Sequence, residues 1–229
     1  MTTTTLVSAL PTQLHIEPTE FTEAIRAFHR TWIELEEGGG SMWQDVRVVE
    51  DSYGPPLLRI SRLLDTLPSP TDDAPEAPED EDNAGENDGE ALVRSLPPNS
   101  SEQKTTVVYD IVYSPSYRVP VLHITLPHPP PNSNIHDLLV PASHRAQLQH
   151  AGGSLGALSL TDHPITGLPA YFIHPCRTAE GMAAVTKSGE IGGRGGPMEY
   201  LMRWLGLVGP SVDLAVPLKL AEALGKLQQ

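Results

Sequence analysis

The residues best suited to chemistry lie in the stretch 163–182, HPITGLPAYFIHPCRTAEGM, which contains the only cysteine of the chain. Residues 168–173 form an apolar run. This run predicts an extended segment that ends at His174-Pro175, because proline disrupts a strand ladder and favours extended backbone before it. Cys176 follows immediately. A thiol in this place can be a nucleophile or a small buried hydrophobic group, and its position alone does not decide between the two.

The residues after the cysteine favour the nucleophile. Thr178 is expected to be the N-cap of a helix that runs to about Thr186. The thiol of Cys176 would then lie just ahead of a helix N-terminus. There the helix dipole and the neighbouring Arg177 favour the thiolate over the thiol.

The negative charge of the chain is concentrated in one segment. Residues 72–90 hold ten of the 29 acidic residues and no Lys or Arg, so the formal charge of −14 falls to −4 without them. Residues 65–104 as a whole are rich in Pro, Glu, Asp, Ser and Asn, which predicts a disordered acidic insertion. We expect a tolerated spacer, with an acidic docking segment as the alternative. Because no basic patch is present, nucleic acid is not an expected partner.

Several other classes of protein are not expected. A single cysteine excludes an internal disulfide framework and a cysteine-based zinc cluster. No apolar run approaches the length of a membrane span, and the N-terminus shows no secretory signal. The glycines between residues 189 and 196 follow Lys187-Ser188 instead of preceding it, so no phosphate-binding loop is predicted. Nothing in the sequence calls for a cofactor or a metal.

The elements that must position the thiol can be read from periodicity. A helix is predicted from Thr19 to the glycines 38–40, and its apolar face should pack on a sheet or, as the alternative, bind a partner. That face consists of Phe21, Ile25, Phe28 and Trp32. A second helix, which begins at Pro197 and ends before Gly209-Pro210, has a wide apolar side and should be well buried.

Four segments have the alternation of strands, namely 42–50, 56–64, 105–114 and 117–126. Pro120 in the last of them suggests an edge strand or a bulge, and residues 152–160 are expected to be irregular. Four strands with flanking helices indicate the α+β class. We therefore expect a flexible N-terminus over residues 1–18 and a single domain over residues 19–229, interrupted at 65–104.

At three places the sequence resembles the autophagy ubiquitin-conjugating-like enzymes. The first is His174-Pro175-Cys176-Arg177-Thr178 with Met182 after it. The second is DIVYS at 110–114 running into YRVPVL at 117–122, and the third is YLMRWL at 200–205 followed by Val208-Gly209-Pro210. Within that family the chain looks most like carriers of the autophagy-related protein ten type. The likeness covers most of the chain outside residues 65–104.

The resemblance implies a ubiquitin-conjugating fold, with a four-stranded antiparallel sheet flanked by helices, and two successive acyl transfers. Cys176 would accept the ubiquitin-like modifier numbered twelve as a thioester from the autophagy activating enzyme. It would then pass the modifier to a lysine of the acceptor protein numbered five, forming an isopeptide bond needed for autophagosome formation. The resemblance also implies a cytoplasmic protein that visits the preautophagosomal membrane.

Two further residues are candidates for the site. In an extended segment His174 would point to the same side as Cys176 and could orient the lysine or perturb the thiol; a hydrogen bond to nearby backbone is the alternative. Tyr117 matches the family's Tyr-x-Val-Pro pattern and could line the acceptor side, or pack on the sheet. His163 is expected to have a structural role in a turn. The asparagine that many ubiquitin carriers use near their cysteine is absent from this local motif.

Four alternatives differ in class. The sister carrier, which passes another autophagy modifier to phosphatidylethanolamine, shares the His-Pro-Cys element. A non-catalytic adaptor with the same fold would normally lack the cysteine. A cysteine protease would need a cysteine segment of a protease family, which is not present. A histidine metal site lacks a closely spaced helical pair of ligands; its candidates would be His123, His128, His136, His144 and His150.

Overall fold

The computed structural model describes residues 14–36, 42–52, 54–64, 105–129, 134–149, 158–188 and 196–226. In these ranges the strands are β1 Trp43–Val49, β2 Leu57–Leu64, β3 Thr105–Ser114, β4 Val119–Thr125, β5 Leu158–Asp162 and β6 Pro169–Ile173. The helices are α1 Pro18–Glu36, α2 Ile135–Leu139, α3 Ala142–Gln149, α4 Thr178–Ser188, α5 Pro197–Val208 and α6 Leu218–Lys226. No helix in these ranges has both the length and the apolar character needed to cross a bilayer.

Helix α1 forms as predicted and lays its apolar face on the sheet. Proline at its first position needs no hydrogen-bonded N–H, and the N–H of Glu17 donates to Oε2 of Glu20 at 2.9 Å, which closes half of a capping box. The four residues of the predicted face are buried: Phe21, Ile25, Phe28 and Trp32. Each such burial contributes roughly 1.5–3 kcal/mol. The face is therefore core rather than a binding surface.

The N-terminal boundary lies earlier than Thr19. Ile16 is fully buried, and its N–H donates to the carbonyl oxygen of Arg118 at 2.9 Å. Packing of the chain against the sheet thus begins inside the segment 1–18 that was expected to be flexible. Residues 1–13, the predicted acidic insertion 65–104 and the glycines 38–40 lie outside the described residues.

The strands form one antiparallel sheet in the order β1-β2-β3-β4-β6-β5. The four predicted strands are confirmed, but the sheet that the described residues form has six strands, not four. The prediction failed at β5, where residues 152–160 were expected to be irregular. This strand has only five residues, which is too short for a clear alternation of apolar and polar residues. One of its two leucines, Leu160, is 63% exposed, so its apolar residues do not mark a buried face.

Register gives the two faces of the sheet different roles. Ile60, Tyr109, Ile124 and Tyr171 are neighbours across β2, β3, β4 and β6, and they project towards the helical side as part of the core. The residues next to them along each strand project to the opposite face. β4 lies inside the sheet, but it pairs with β6 only through His123 and Ile124. Pro120 is near the start of β4, and there the strand pairs with β3 alone among the described strands.

Helices α5 and α6 pack against α1, and α4 packs against α5. As predicted, the apolar side of α5 is buried, with Trp204 only 1% exposed. A 3-10 turn, Gly209–Val212, follows α5. The hydroxyl of Tyr109 donates to the carbonyl oxygen of Val212 at 2.9 Å, and the buried guanidinium of Arg62 pairs with Asp213. These contacts fix the C-terminal part of the chain to the centre of the sheet.

Candidate active site

The cysteine lies in a short turn that continues β6. Ile173, the last residue of β6, is 4% exposed and anchors the strand in the core. His174 then has extended dihedral angles, and a 3-10 turn, Pro175–Arg177, leads without a break into α4. Proline suits the first position of this turn because it has no N–H to satisfy. Cys176 is exposed and its thiol is free.

The cap of this turn is His174, not Thr178. Nδ1 of His174 accepts the backbone N–H of Cys176 at 3.1 Å. Thr178 has helical dihedral angles and donates its own N–H to the carbonyl oxygen of Pro175. The predicted N-cap was wrong because helical backbone starts three residues earlier, at the proline, and the cap position moves back accordingly. The placement of the thiol just before a helix is as expected; the preference for thiolate stays a prediction.

His174 contacts both of the other candidate residues, Cys176 through the hydrogen bond and Tyr117 through its ring. Its ring makes an edge contact with the ring of Tyr117, with centroids 5.7 Å apart, and a tilted contact with Phe172 at 5.8 Å. Tyr117 belongs to the turn between β3 and β4 and is 42% exposed, so it does not pack in the sheet. The hydrogen bond from His174 to nearby backbone, posed as an alternative to a chemical role, is present. Its Nδ1 lone pair is therefore engaged, and in the neutral ring Nε2 carries the proton.

A row of polar side chains crosses the sheet beside this site, on the face opposite α1. Strand register places Arg59, Asp110 and His123 side by side on β2, β3 and β4, and the apolar ring of Phe172 on β6 follows them. The guanidinium of Arg59 donates two hydrogen bonds to Asp110, each 2.7 Å long. Burial alone would raise the pKa of Asp110, but the hydrogen bonds from Arg59 and the contact with His163 lower it below its ordinary value.

His163 holds the turn after β5 against this row, as its predicted structural role requires. Its Nδ1 accepts the N–H groups of Ile165 and Thr166, at 3.2 and 3.3 Å. The proton of the neutral ring is then on Nε2, which lies 3.1 Å from Oδ2 of Asp110. The ring meets that of His123 edge-on at 5.2 Å. In the sequence, His123 was named only as a ligand of a disfavoured metal site and Asp110 only as part of a family motif, and their meeting was not predicted. A lone carboxylate in the apolar strand 105–114 was the available signal that a buried partner exists.

An apolar cavity of about 310 Å³ opens on the same face. Val112, Val121 and Phe172 line it together with His123, and Tyr117 and His174 complete its wall towards Cys176. Among the described residues no three His, Cys, Asp or Glu side chains are grouped so as to hold a metal. The arrangement can thus offer an exposed thiol, a polar ring next to it and an adjoining apolar recess.

An antiparallel sheet with helices on one face and an exposed thiol in a turn before a helix is consistent with the ubiquitin-conjugating-like α+β fold. The sequence profile described as "Autophagocytosis associated protein, active-site domain" matches residues 18–219. The chain belongs to this family.

Curated relatives carry one shared name. The chain is 36% identical to the ubiquitin-like-conjugating enzyme ATG10 of Gibberella zeae over 151 residues, which cover 62% of this chain and 59% of the relative. It is 31% identical to the protein of the same name in Homo sapiens over 116 residues, covering 50% of this chain and 52% of the relative. With that of Dictyostelium discoideum it shares 30% over 122 residues, covering 49% and 52%. The chain thus spans between about half and three fifths of the length of these relatives.

Proposed function

We propose that the chain is a carrier enzyme of autophagy that holds a ubiquitin-like modifier as a thioester on Cys176 and transfers it to a lysine. The single observation that carries the proposal is the exposed thiol in the capped turn between β6 and α4. Membership of the family and the printed names of the relatives support it. The partners proposed are the autophagy activating enzyme, the modifier numbered twelve and the acceptor protein numbered five, meeting in the cytoplasm and transiently at the preautophagosomal membrane.

Both chemical steps exchange one acyl bond for another. In the first, the sulfur of Cys176 attacks the carbonyl carbon of the modifier's thioester; a new carbon–sulfur bond forms, the old one breaks, and the thiol of the activating enzyme leaves with the proton. In the second, a lysine nitrogen attacks the same carbon, and Cys176 is released as a thiol. Thioesters are reactive acyl donors, so position and stabilisation of charge are the main demands on the protein.

We assign supporting roles to the two residues next to the thiol. His174 fixes the backbone of Cys176 through Nδ1 and so orients the thiol; its Nε2–H remains as a donor for the oxyanion that forms when the amine attacks. Tyr117, in contact with the ring of His174, lines the acceptor side. Neither ring has to act as a strong base, because the amine attacks an activated carbonyl carbon.

A charging assay tests this proposal. The protein is mixed with the activating enzyme, ATP and either autophagy modifier, and the products are separated on non-reducing gels. We expect an adduct with the modifier numbered twelve that a thiol reagent removes, and a thiol-resistant ester when Cys176→Ser is used instead. Cys176→Ala should give no adduct and remain folded, because the side chain is exposed.

A matched control asks whether any exposed thiol suffices. Leu168 is 64% exposed on the turn before β6, so Leu168→Cys in the Cys176→Ser background presents a thiol outside the capped turn. This double variant should form the ester and no thiol-sensitive adduct. An adduct only with the lipid-linked modifier would assign the chain to the sister carriers. If a folded sample formed no adduct with either modifier, a non-catalytic adaptor would replace the carrier enzyme as the proposed function.

A further inference from the structure

The turn between β3 and β4 contains a residue with a strained backbone. Arg118, the last residue of this turn, has a φ of 54°, and Asp213 is the one other non-glycine residue with a positive φ in the part of the chain that the structure describes. The N–H of Arg118 donates to the carbonyl oxygen of Ser114 at 2.7 Å, which closes the turn. Glycine adopts this left-handed conformation freely, whereas arginine does so only at a cost in energy. Contacts outside the turn must therefore help to hold Arg118 in place.

Residues 14–17, which we call the N-terminal strap, supply these contacts. The N–H of Ile16 donates to the carbonyl oxygen of Arg118 at 2.9 Å, and the carboxylate of Glu17 pairs with the guanidinium of Arg118. The two charged side chains are 51% and 53% exposed, so their ion pair contributes little. The backbone hydrogen bond from Ile16 is therefore the main contact between the strap and the strained residue.

Both ends of the N-terminal strap are anchored on helices. At its start, the carbonyl oxygen of Leu14 accepts the hydroxyl hydrogen of Tyr200, a buried residue of α5, at 3.1 Å. At its end, Glu17 leads directly into α1, and its N–H donates to the carboxylate of Glu20. Ile16, between the two ends, is fully buried. The core thus sets the position of the strap, and the strap can act as a support for the turn.

Tyr117 is placed by this turn and not by burial. Its side chain is 42% exposed, and its ring meets that of His174 edge-on with the centroids 5.7 Å apart. Val119, which follows Arg118, is fixed opposite Ser114 in the ladder between β3 and β4. Because the chain after Arg118 is held by the sheet, a change in φ of Arg118 has to move the residues before it. Tyr117 is the first of these.

We propose that the N-terminal strap and Arg118 position Tyr117 for transfer, by holding the turn in the conformation that keeps the tyrosine ring against His174 beside the thiol. The inference rests on the proposed function, because it assumes that Tyr117 lines the acceptor side. Ile16 and Arg118 are positioning residues; neither has to touch the reacting atoms, and no bond is made or broken at the strap. If the strap only packed on the core, its loosening would leave the ring in place.

The position of the ring is tested first, without any chemistry. In the full chain labelled with ¹³C-tyrosine and ¹³C-histidine, nuclear Overhauser effects report the contact between the rings of Tyr117 and His174. We expect these effects in the unaltered chain, in Arg118→Gly and in Arg118→Asn, because glycine and asparagine tolerate the left-handed region. Arg118→Val should lose them, because a β-branched residue strongly disfavours it. Effects that persist in Arg118→Val, or that vanish in all three variants, would overturn the proposal.

A matched pair of variants tests the strap itself. Ile16 and Ile25 are both fully buried, but only Ile16 lies in the strap, whereas Ile25 belongs to α1. Ile16→Ala and Ile25→Ala therefore remove the same buried group, and both are measured at a temperature where circular dichroism shows them folded. We expect the effects between the two rings to be lost in Ile16→Ala and kept in Ile25→Ala. Equal intensities in the two variants would overturn the proposal.

Transfer is tested next on the thioester preformed at Cys176, with hydroxylamine as a small nucleophile that needs no positioning. In Arg118→Val we expect kcat/KM for the acceptor protein to fall about tenfold, because the incoming lysine loses its orientation, while the rate with hydroxylamine stays within about twofold. Arg118→Gly should stay within about threefold of the unaltered chain, because it keeps the turn. A loss in Arg118→Gly as large as in Arg118→Val would assign the effect to the arginine side chain and overturn the proposal.

A double variant asks whether Arg118 acts through the tyrosine. Tyr117→Ala removes the ring, so the addition of Arg118→Val should lower kcat/KM by no more than about twofold further. Losses that multiply would mean that Arg118 acts by a separate route, such as general destabilisation, and would overturn the proposal.

Failure of this inference can be told apart from failure of the proposed function. If the unaltered chain formed no thioester, the proposed function would fail by itself, and the nuclear Overhauser effects would still decide whether the strap sets the position of the ring. If the thioester formed and all variants at position 118 transferred the modifier equally well, the proposed function would stand and this inference would fail.

Discussion

Burial of the His123 ring should be visible in how stability depends on pH. Its folded-state pKa is about 4, against an ordinary 6.5, because the ring is buried and lies beside His163. Between these two pH values the imidazole of His123 is protonated in the unfolded chain and neutral in the folded chain. The folded state therefore loses stability as the pH falls below about 6.5, and this loss stops growing below about 4. The carboxyl group of Asp110 changes stability only at lower pH, because its pKa in the folded chain lies below an ordinary 3.8.

We expect His123 to lower the free energy of unfolding by about 2 kcal/mol between pH 7 and pH 5. His123→Phe should remove most of this dependence, since the ring shape stays and the titrating nitrogens go. Urea unfolding at pH 5, 6 and 7 measures it. His128→Phe, at an exposed position, should keep the slope of the unaltered chain. A slope that survives in His123→Phe would place the titrating group elsewhere.

At the scale of elements, the turn Pro175–Arg177 and α4 act as one helical segment with a histidine as its cap. His174→Ala leaves the N–H of Cys176 without its acceptor and should destabilise the chain by about 1 kcal/mol. Asparagine is a preferred N-cap and offers an oxygen to the same N–H, so His174→Asn should lose less than about 0.5 kcal/mol.

Thermal and urea unfolding of the two variants side by side check this prediction, and charging of Cys176 gives a second readout. The asparagine variant should charge faster than the alanine variant, because it keeps the turn in place. Equal stability and equal charging of the two would show that the hydrogen bond from Cys176 to His174 contributes nothing to the turn.

Elements whose signal is local could be predicted from the sequence. The face of α1 repeats every three to four residues, and β3 and β4 are dense in β-branched residues, so both were predicted with the right type and nearly the right ends. The position of Cys176 between an extended segment and a helix followed from Pro175. These patterns depend on neighbours in the chain, which a sequence displays directly.

What the sequence did not reveal depends on partners distant in the chain. β5 is a strand because β6 pairs with it, not because of its own five residues. The row of Arg59, Asp110 and His123 exists only once three strands are in register. Likewise, Nδ1 of His123 is buried without a hydrogen-bond partner in the part of the chain that the structure describes, and no spacing in the sequence indicates this.

At the scale of the whole molecule, the acidic segment joins two strands that are already neighbours. β2 ends at Leu64 and β3 begins at Thr105, and these two residues are paired in the sheet. Because the ends are held together by the ladder, a much shorter connection can replace the segment.

Deleting residues 68–100 should therefore leave charging unchanged and raise the free energy of unfolding by about 1.5 kcal/mol, since closing a shorter loop costs less entropy. Charging gels and urea unfolding measure the two effects. A variant with the ten acidic residues of 72–90 changed to Asn and Gln is the control, because it removes the charge and keeps the length. Loss of charging in the deletion alone would contradict the spacer interpretation; loss in both would assign a role to the charge.

The exposed Cys176, the only cysteine in the chain, has a consequence for oxidation. Two chains can be joined by a disulfide in one way only, through the residue proposed to carry the modifier. Every covalent dimer that forms in air thus contains two blocked sites, and reduction restores both at once. The proportion of dimer on a non-reducing gel then gives the fraction of chains whose Cys176 is blocked by a disulfide between two chains.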